Sequence, residues 1–366
     1  MSSNHPNAQP DASKILIVGG YGAVGLSIAE RLAPDFPGRV VIAGRSIEKA
    51  QAAAARVGHG TDARAVDIFA ADAGHALDGV AMTIVCLDQA DTGFVEHCLS
   101  RGIHYVDISA EYSFLAQVET LDDLARRNGA TALLSVGAAP GLTNLLAARA
   151  SEKMDNVERI DILLEIGLGD RHGQAAIEWM LDNIDTPYQV MENGRLTSVR
   201  SFGDSMALRL AGQYRKRPAY RFNFSDQHVL ARSLNAPSVS TWIRYDGRFV
   251  TWLFAVASRA GLGRLLRRPF WRKRAVLLLL NVHMGSDTFG IAVRAVGRNG
   301  SQPAETVVGV TGRKEARMTA IIAAESARQL LTSPPGPGVW HSDQAISLDP
   351  VVAALRSEYP DLVVDV

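Results

Sequence analysis

KILIVGGYGAVG, residues 14–25, is the stretch that decides the fold of the N-terminal part of the chain. Its apolar start predicts a buried strand, and glycines follow directly before a segment with helical periodicity. A strand that ends before Gly19 favours the spacing GxxGxxG, through Gly22 and Gly25, over the GxGxxG that starts at Gly20. Glycine at these positions permits a tight turn and brings backbone amides close to a pyrophosphate. The stretch therefore predicts a dinucleotide-binding loop.

The following residues, up to about Gly137, alternate short β-branched runs with amphipathic segments. The runs are KILIVG, VVIAG, ARAVDI, AMTIVCL, HYVDIS and TALLSVG. Continuous apolar strands separated by helices are typical of a parallel sheet that is covered on both faces. The pattern predicts an α/β, doubly wound parallel-sheet Rossmann domain.

The pattern changes after residue 150. Asn193-Gly194 and Asp246-Gly247 each stand between β-rich runs, which predicts two-residue hairpins. We therefore expect a second α+β domain built on a largely antiparallel sheet. The predicted organisation is a disordered tail at 1–13, a Rossmann domain at 14–145 completed by 314–366, and a substrate and dimerisation domain at 146–313.

Composition restricts the partners. The 366 residues include 38 basic and 38 acidic ones, so no overall charge favours nucleic acid. Cys86 and Cys98 lack the CxxC spacing of a metal site, which indicates a reducing compartment and no structural metal. The polar opening MSSNHPNAQPDAS does not have the apolar core of a signal peptide, so we expect a cytoplasmic protein.

The end of the second predicted strand indicates which dinucleotide is bound. An NAD site usually has an acidic residue there, whereas this chain has VVIAGRS. Arg45 offers a guanidinium to a 2′-phosphate and Ser46 a hydroxyl, which favours NADP(H); an arginine that only caps a surface turn is the alternative. Asp67 is placed either at the adenine edge or at a helix N-cap.

Four motifs carry a resemblance to a known family. ILIVGGYGAVG, AGRS, CLSRGIHYVDISAE and GAAPGLTNLLA occur in the order and spacing of saccharopine dehydrogenase-like proteins, in the branch that contains the glutamate-forming saccharopine reductase. The resemblance covers about the first 150 residues, and the second domain departs from those enzymes. It implies an NADP-binding Rossmann domain, an active site between two domains, a homodimer, and hydride transfer at an imine or secondary amine.

The resemblance also implies site residues. Those assigned to the cofactor are Gly19, Gly20, Tyr21, Gly22, Ala23, Val24, Gly25, Arg45, Ser46, Asp67, Cys86, Leu87, Asp88 and Ser109. Those assigned to the nicotinamide end or the cleft are Gln89, Asp107, Glu111, Pro140 and Asn144. Asp107 and Glu111 are candidate catalytic residues because ligands bind at the carboxyl ends of strands in such sheets.

Two stretches of the second domain add candidates. GDRHGQAAIEWML places Arg171 and His172 before a helix, where His172 is a candidate proton donor and Arg171 a candidate substrate ligand. The alternative is that Asp170 caps the helix while His172 and Trp179 pack. YRFNFSDQHVL gives Arg221 and Asn223 as candidate substrate ligands on a cleft wall, although a strand before a solvated turn explains it as well.

The basic stretch GRLLRRPFWRKRAVLLLLNVHMG has a composition compatible with a membrane surface. Its apolar run is too short to span a bilayer. We expect a helical hairpin with a buried apolar side and solvated arginines, and membrane contact through 262–280 is not favoured.

The sequence thus predicts an NADP(H)-dependent oxidoreductase that acts on a C–N bond of a small, amino-acid-like metabolite. Two alternatives stay open. One is a reductase of a lipid-like or polyketide-like C=C or C=O bond, and the other is a non-catalytic protein that senses NADP.

Overall fold

The computed structural model describes residues 13–70, 72–170, 174–210, 213, 215–266, 268–281 and 285–365. The strands are β1 Lys14–Val18, β2 Val40–Gly44, β3 Asp62–Ala65, β4 Val80–Val85, β5 His104–Asp107, β6 Thr131–Leu134, β7 Asn156–Ile166, β8 Pro187–Glu192, β9 Arg195–Arg200, β10 Ser205–Leu208, β11 Arg217–Arg221, β12 Val239–Tyr245, β13 Thr288–Asn299, β14 Gln302–Arg313, β15 Gly338–His341 and β16 Val363–Asp365. The helices are α1 Ala23–Leu32, α2 Ile47–Val57, α3 Gly93–Ser100, α4 Tyr112–Glu119, α5 Asp122–Arg127, α6 Thr143–Ser151, α7 Gln174–Asn183, α8 Asp226–Ser233, α9 Arg248–Arg259, α10 Leu262–Leu266, α11 Pro269–Asn281, α12 Glu315–Thr332, α13 Ser342–Ala345 and α14 Leu348–Glu358.

The first sheet is parallel and has seven strands in the order β15-β6-β5-β4-β1-β2-β3. Strand β1, which lies between β4 and β2, is apolar on both sides: Ile15 and Ile17 join one core cluster, whereas Leu16 and Val18 join another. Alternate side chains of a strand point to opposite faces, so a strand covered by helices on both faces needs apolar residues throughout. The predicted doubly wound parallel sheet is confirmed.

The second sheet is mixed and has the order β10-β11-β12-β7-β13-β14-β16. Within the described ranges, β12 and β7 are its only parallel neighbours, so it is largely antiparallel, as expected. One of its faces packs on α6, where Ile162 and Val293 share a core cluster with Leu146. This helix therefore joins the cores of the two sheets.

The C-terminal residues contribute to both sheets. Helix α12 packs on α1, and β15 pairs in parallel with β6 at the edge of the first sheet. The last strand, β16, pairs instead with β14 at the edge of the second sheet. The chain therefore returns to the first sheet and then ends in the second.

The two predicted hairpins have different outcomes. Asn193-Gly194 joins the antiparallel strands β8 and β9, and both residues have positive φ, as a type I′ turn requires. The hairpin expected at Asp246-Gly247 is wrong, because β12 is followed there by α9. The Asp246 carboxylate accepts hydrogen bonds from the backbone N–H groups of Leu168, Gly247 and Ser286, which fixes a turn into a helix.

The basic stretch forms α10 and α11, and its apolar side is only partly buried. Val276 packs against α7, but four large apolar side chains of α11 are exposed, namely Phe270, Trp271, Leu277 and Leu278. The expected burial is wrong for these four. Among the described residues, no helix is both long and apolar enough to cross a membrane.

Candidate functional site

The glycine loop after β1 has no room for side chains. A Cβ atom at Gly20 would lie 2.6 Å from the carbonyl oxygen of Ile17, and one at Gly25 would lie 2.5 Å from that of Gly19. Gly19 also has a φ of 75°, which favours glycine. The first amides of α1, beginning after the N-cap Gly22, have no acceptors within the helix. Bare backbone and free amides at a helix N-terminus fit a dinucleotide pyrophosphate.

The end of β2 lies beside this loop. A Cβ atom at Gly44 would lie 2.5 Å from the ring of Tyr21, so the tyrosine rests on bare backbone. Arg45 follows; it is exposed and has no carboxylate partner among the described residues. Ser46 is the N-cap of α2 and accepts a hydrogen bond of 3.2 Å from the N–H of Lys49. The predicted 2′-phosphate ligands therefore lie at one strand end, with the Arg45 guanidinium available.

Four further predicted cofactor residues follow β3 and β4, namely Asp67, Cys86, Leu87 and Asp88. Asp67 is exposed and accepts a hydrogen bond from the N–H of Phe69, in a turn and not at a helix N-cap. Leu87 lies against the glycine loop, since a Cβ at Gly19 would be 3.1 Å from it. Burial, and then the Asp107 carboxylate, raises the pKa of the Cys86 thiol to about 12, so Cys86 is not a nucleophile at neutral pH.

Asp107, at the end of β5, is fully buried in a network of hydrogen bonds. Its carboxylate accepts hydrogen bonds from the Tyr105 hydroxyl at 2.5 Å, the Gln89 amide at 3.0 Å and the Ser109 N–H at 2.6 Å. Burial, together with the Asp88 carboxylate, raises the pKa of Asp107 to about 6, although the hydrogen bonds tend to lower it. The network ties together the residues that follow β4 and β5.

Glu111 lies where the two parts of the molecule meet. It is the N-cap of α4, with one carboxylate oxygen on Ser113, and the other accepts a hydrogen bond of 3.4 Å from the indole N–H of Trp179 on α7. Loss of solvation next to the surrounding protein, and then the charge of the Glu111 carboxylate, raises the pKa of Asp88. Asp88 and Glu111 thus follow the adjacent strands β4 and β5, and Glu111 contacts helix α7.

Aromatic side chains pack next to Glu111, on the side of the second sheet. Trp179 packs on Phe222 and Phe224, with ring centroids 5.5 Å and 5.0 Å apart. Beside it, the rings of Tyr112 and His228 stack at 4.4 Å, and His228 shares a hydrogen bond with Asn223. Burial, and then Arg232, lowers the pKa of His228 to about 4, so its imidazole is neutral.

Some predicted site residues are not brought close to Glu111 and Trp179. Arg221 pairs with Glu192 and Asp204 and lies over the ring of Trp242. Trp242 belongs to a different hydrophobic cluster from Phe222, so Arg221 lies apart from the aromatic side chains next to Glu111. Pro140 and Asn144 are buried. Asn144 accepts a hydrogen bond from the Gly141 N–H and donates one to Asp343, so its amide holds the loop after β6.

The stretch before α7 lies partly outside the described residues. The predicted proton donor His172 and the predicted ligand Arg171 are among those that the structure does not describe. The Asp170 carboxylate accepts a hydrogen bond of 2.8 Å from the N–H of Glu315, at the start of α12.

One cluster was missed by the sequence analysis. Ser135 Oγ lies 2.8 Å from His341 Nδ1, and His341 Nε2 lies 3.0 Å from Glu119, which also binds Arg232 through both carboxylate oxygens. Ser135 is fully buried, so the arrangement is a link between elements and not an exposed nucleophile. Its members are far apart along the chain, and no local pattern indicated the contact. Tyr105, by contrast, stands two residues before Asp107 on one face of β5, and this spacing was a usable signal.

Comparison with known proteins agrees with this geometry. Residues 15–133 match the family described as the saccharopine dehydrogenase NADP binding domain. The first domain is thus an NADP-binding domain of saccharopine dehydrogenase type, which confirms the resemblance and the cofactor expected from the sequence. No curated protein sequence matches the chain.

Solved structures extend the comparison to the second sheet. The chain is similar to apo histidine-tagged saccharopine dehydrogenase (L-Glu forming) from Saccharomyces cerevisiae, with a TM-score of 0.67 and 14% identity over 96% of this chain and 99% of that one. It is also similar to the amine dehydrogenase from Mycobacterium smegmatis, with a TM-score of 0.46 and 11% identity over 93% and 97% of the two chains. The likeness to the yeast enzyme covers nearly the whole chain, so both sheets follow the fold of that enzyme.

Proposed function

We propose that the protein is an NADP(H)-dependent oxidoreductase that transfers hydride to or from a C–N bond, an imine or a secondary amine, of an amino-acid-like metabolite. The observation that carries this proposal is the placement of the Asp88 and Glu111 carboxylates after the adjacent strands β4 and β5, with Glu111 in contact with Trp179. In a doubly wound sheet this edge is where the cofactor and substrate meet. An iminium is cationic, and carboxylates at that edge stabilise a cation.

The residues of the chain have distinct roles in this proposal. NADPH, when bound, supplies the hydride. Glu111 holds the cationic nitrogen and exchanges a proton with it, while the Trp179 N–H fixes the carboxylate. Asp107 is a positioning residue, because it is buried and acts through Gln89 and Ser109. A homodimer in the cytoplasm is the assembly and location we propose for the enzyme.

A second candidate is supported by the aromatic side chains next to Glu111. Trp179, which contacts Glu111, packs on the buried rings of Phe222 and Phe224, and Arg221 pairs with carboxylates elsewhere. Apolar surroundings of this kind suit a lipid-like enone or ketone better than a dicarboxylate. This candidate uses the same cofactor and the same strand ends, and it differs only in the substrate.

Substrate pools separate the two candidates. NADPH oxidation is followed by its absorbance with pooled 2-oxo acids and amines, and separately with pooled enones and ketones. We expect turnover that requires both an oxo acid and an amine, and a loss of about 10²-fold or more in kcat in Glu111→Gln. Turnover with enones or ketones alone would support the lipid-like reductase. NADPH binding without turnover on either pool would support the sensing protein.

A further inference from the structure

An unusual surface is formed by helices α9 and α11, which α10 connects and contacts. On α9, the exposed side chains include Phe249, Trp252, Leu253 and Val256. These residues recur at i, i+3, i+4 and i+7, so they form one stripe along the helix. The buried side of the same helix has smaller residues, such as Thr251, Ala255 and Ser258. Four large apolar side chains of α9 therefore point outward, whereas Phe254 packs on Phe202 in the core. Such an exposed apolar stripe is unusual for a surface helix.

Helix α11 repeats this arrangement. Its exposed apolar side chains are Phe270, Trp271, Leu277 and Leu278, and Leu278 is 62% exposed. Large apolar side chains that are exposed in groups indicate a surface that contacts a partner. We call the exposed apolar side chains of α9 and α11, with the basic residues among them, the α9–α11 surface.

Charge identifies the kind of partner. Residues 248–281 contain seven arginines, one lysine and no acidic residue. Arg272 pairs with Asp182 on α7. Arg248, Arg268 and Lys273 have no carboxylate partner among the described residues, and Arg274 lies 4.2 Å from the centroid of the Phe270 ring. The surface therefore combines exposed aromatic rings with unpaired positive charge.

We propose that the α9–α11 surface binds the protein peripherally to an anionic lipid bilayer. Tryptophan and phenylalanine partition into the interface of a bilayer, and arginine and lysine are attracted by anionic headgroups. A second copy of the chain is a poorer occupant, because symmetric pairing of this surface would bring like charges together. The proposed binding involves adsorption to one leaflet and no crossing of the bilayer.

The position of the surface relates it to the cleft. Helix α11 packs on α7 through Val276, which contacts the cluster of Ile177 and Leu181. The same helix α7 carries Trp179 to Glu111. Adsorption would therefore hold the candidate site around Glu111 close to the membrane, whichever substrate the site takes.

Vesicle flotation tests the proposal with the full chain. The vesicles are phosphatidylcholine alone or phosphatidylcholine with about 30% phosphatidylglycerol, at about 0.1 M and about 0.5 M salt. We expect flotation with the anionic vesicles only, weakened at high salt, together with a blue shift of tryptophan fluorescence from Trp252 and Trp271. The charge reversal K273E/R274E and the double variant W252S/W271S should each weaken the partition coefficient by about tenfold or more.

Matched controls keep the test specific. Leu196→Ser removes an exposed apolar side chain from the β8–β9 hairpin, and Arg127→Glu reverses an exposed charge on α5; both should float like the original protein. Binding to neutral vesicles alone, no binding to either, or equal loss in the controls would overturn the proposal. So would a dimer, measured by light scattering, that W252S/W271S dissociates while vesicles bind nothing. NADPH binding, measured in parallel, shows that each variant is folded and tests nothing about turnover.

Discussion

At the scale of single residues, the site depends on groups placed directly after strands. Arg45 is the sharpest case, because its guanidinium is exposed beside the glycine loop and has no carboxylate partner among the described residues. We expect Arg45→Ala to weaken NADPH binding by about 1.5–3 kcal/mol, the loss of a charge-assisted contact, and to leave NADH binding nearly unchanged. Titration of nucleotide fluorescence measures both affinities.

The control for Arg45 is Arg56→Ala, near the C-terminal end of α2, the helix that follows Arg45. Arg56 is exposed and pairs with Glu30, so its removal should change neither affinity. An equal loss of NADPH and NADH affinity in the Arg45 variant would contradict the assignment to the 2′-phosphate.

Asp107 makes a prediction about pH. Burial raises the pKa of Asp107 to about 6, so folding favours its protonated form. The stability that it contributes is therefore present at low pH and is lost as the pH rises through about 6. We expect the melting temperature of Asp107→Asn, relative to the original protein, to rise between about pH 4 and about pH 6 and to change little above about pH 7. A pH-independent difference would show that the carboxylate does not titrate in this range.

The same residue should affect catalysis through its neighbours. Because Asp107 orients Gln89 and Ser109, we expect an inflection near pH 6 in kcat/KM that disappears in Asp107→Asn.

The sequence predicted those candidate site residues whose positions depend only on where a strand ends. Gly19, Arg45 and Asp107 each follow a recognisable strand, and parallel strands bring their carboxyl ends to one edge. The contact of Trp179 with Glu111 and the link from Ser135 to His341 were not predicted, because these contacts depend on how distant elements pack. Arg221 differs from the residues at the strand ends: its pattern resembles that of a ligand, but its partners Glu192 and Asp204 come from other strands and loops.

At the scale of elements, turns were harder to predict than strands. Both Asn193-Gly194 and Asp246-Gly247 have hairpin chemistry, and only the first is a hairpin. The local sequence cannot reveal that Leu168 and Ser286 would donate to the Asp246 carboxylate from distant loops.

The turn before α9 can be tested through Asp246. Burial tends to raise its pKa, but hydrogen bonds from Ser286, Leu168 and Gly247 outweigh burial and lower it. This stability is present at neutral pH and is lost as the pH falls below the ordinary range of an aspartate. Asp246→Ala should lower the free energy of unfolding by about 1–3 kcal/mol at neutral pH, as measured in urea. Asp62→Ala, which removes an exposed carboxylate that binds only the next N–H, should cost far less.

At the scale of the whole molecule, Glu119 links three elements. It ends α4 and binds Arg232 on α8 and His341 at the end of β15. Burial tends to raise its pKa, but the hydrogen bonds from His341 and Arg232 lower it to about 2. The link therefore stabilises the fold at neutral pH and loses this effect as the pH falls from about 4.5 towards 2.

Glu119→Gln tests this link. We expect a loss of about 1–2 kcal/mol at neutral pH, a modest value because Arg232 is half exposed, and a smaller loss in acid. Thermal melting at several pH values measures both. Glu152→Gln, on a solvent-exposed pair with Arg149, is the control, and a loss that did not shrink in acid would contradict the assignment.

The path of the chain between its two sheets limits how this architecture can be recombined. Residues 14–134 supply six strands of the first sheet, but its seventh strand, β15, follows β14 along the chain. By that point every strand of the second sheet except β16 has been formed, and β16 then returns to that sheet. A single crossover between two related genes would therefore pair an edge strand from one parent with a sheet from the other. An exchange of the substrate-facing part needs at least two junctions, and its final strand must be inherited together with β14.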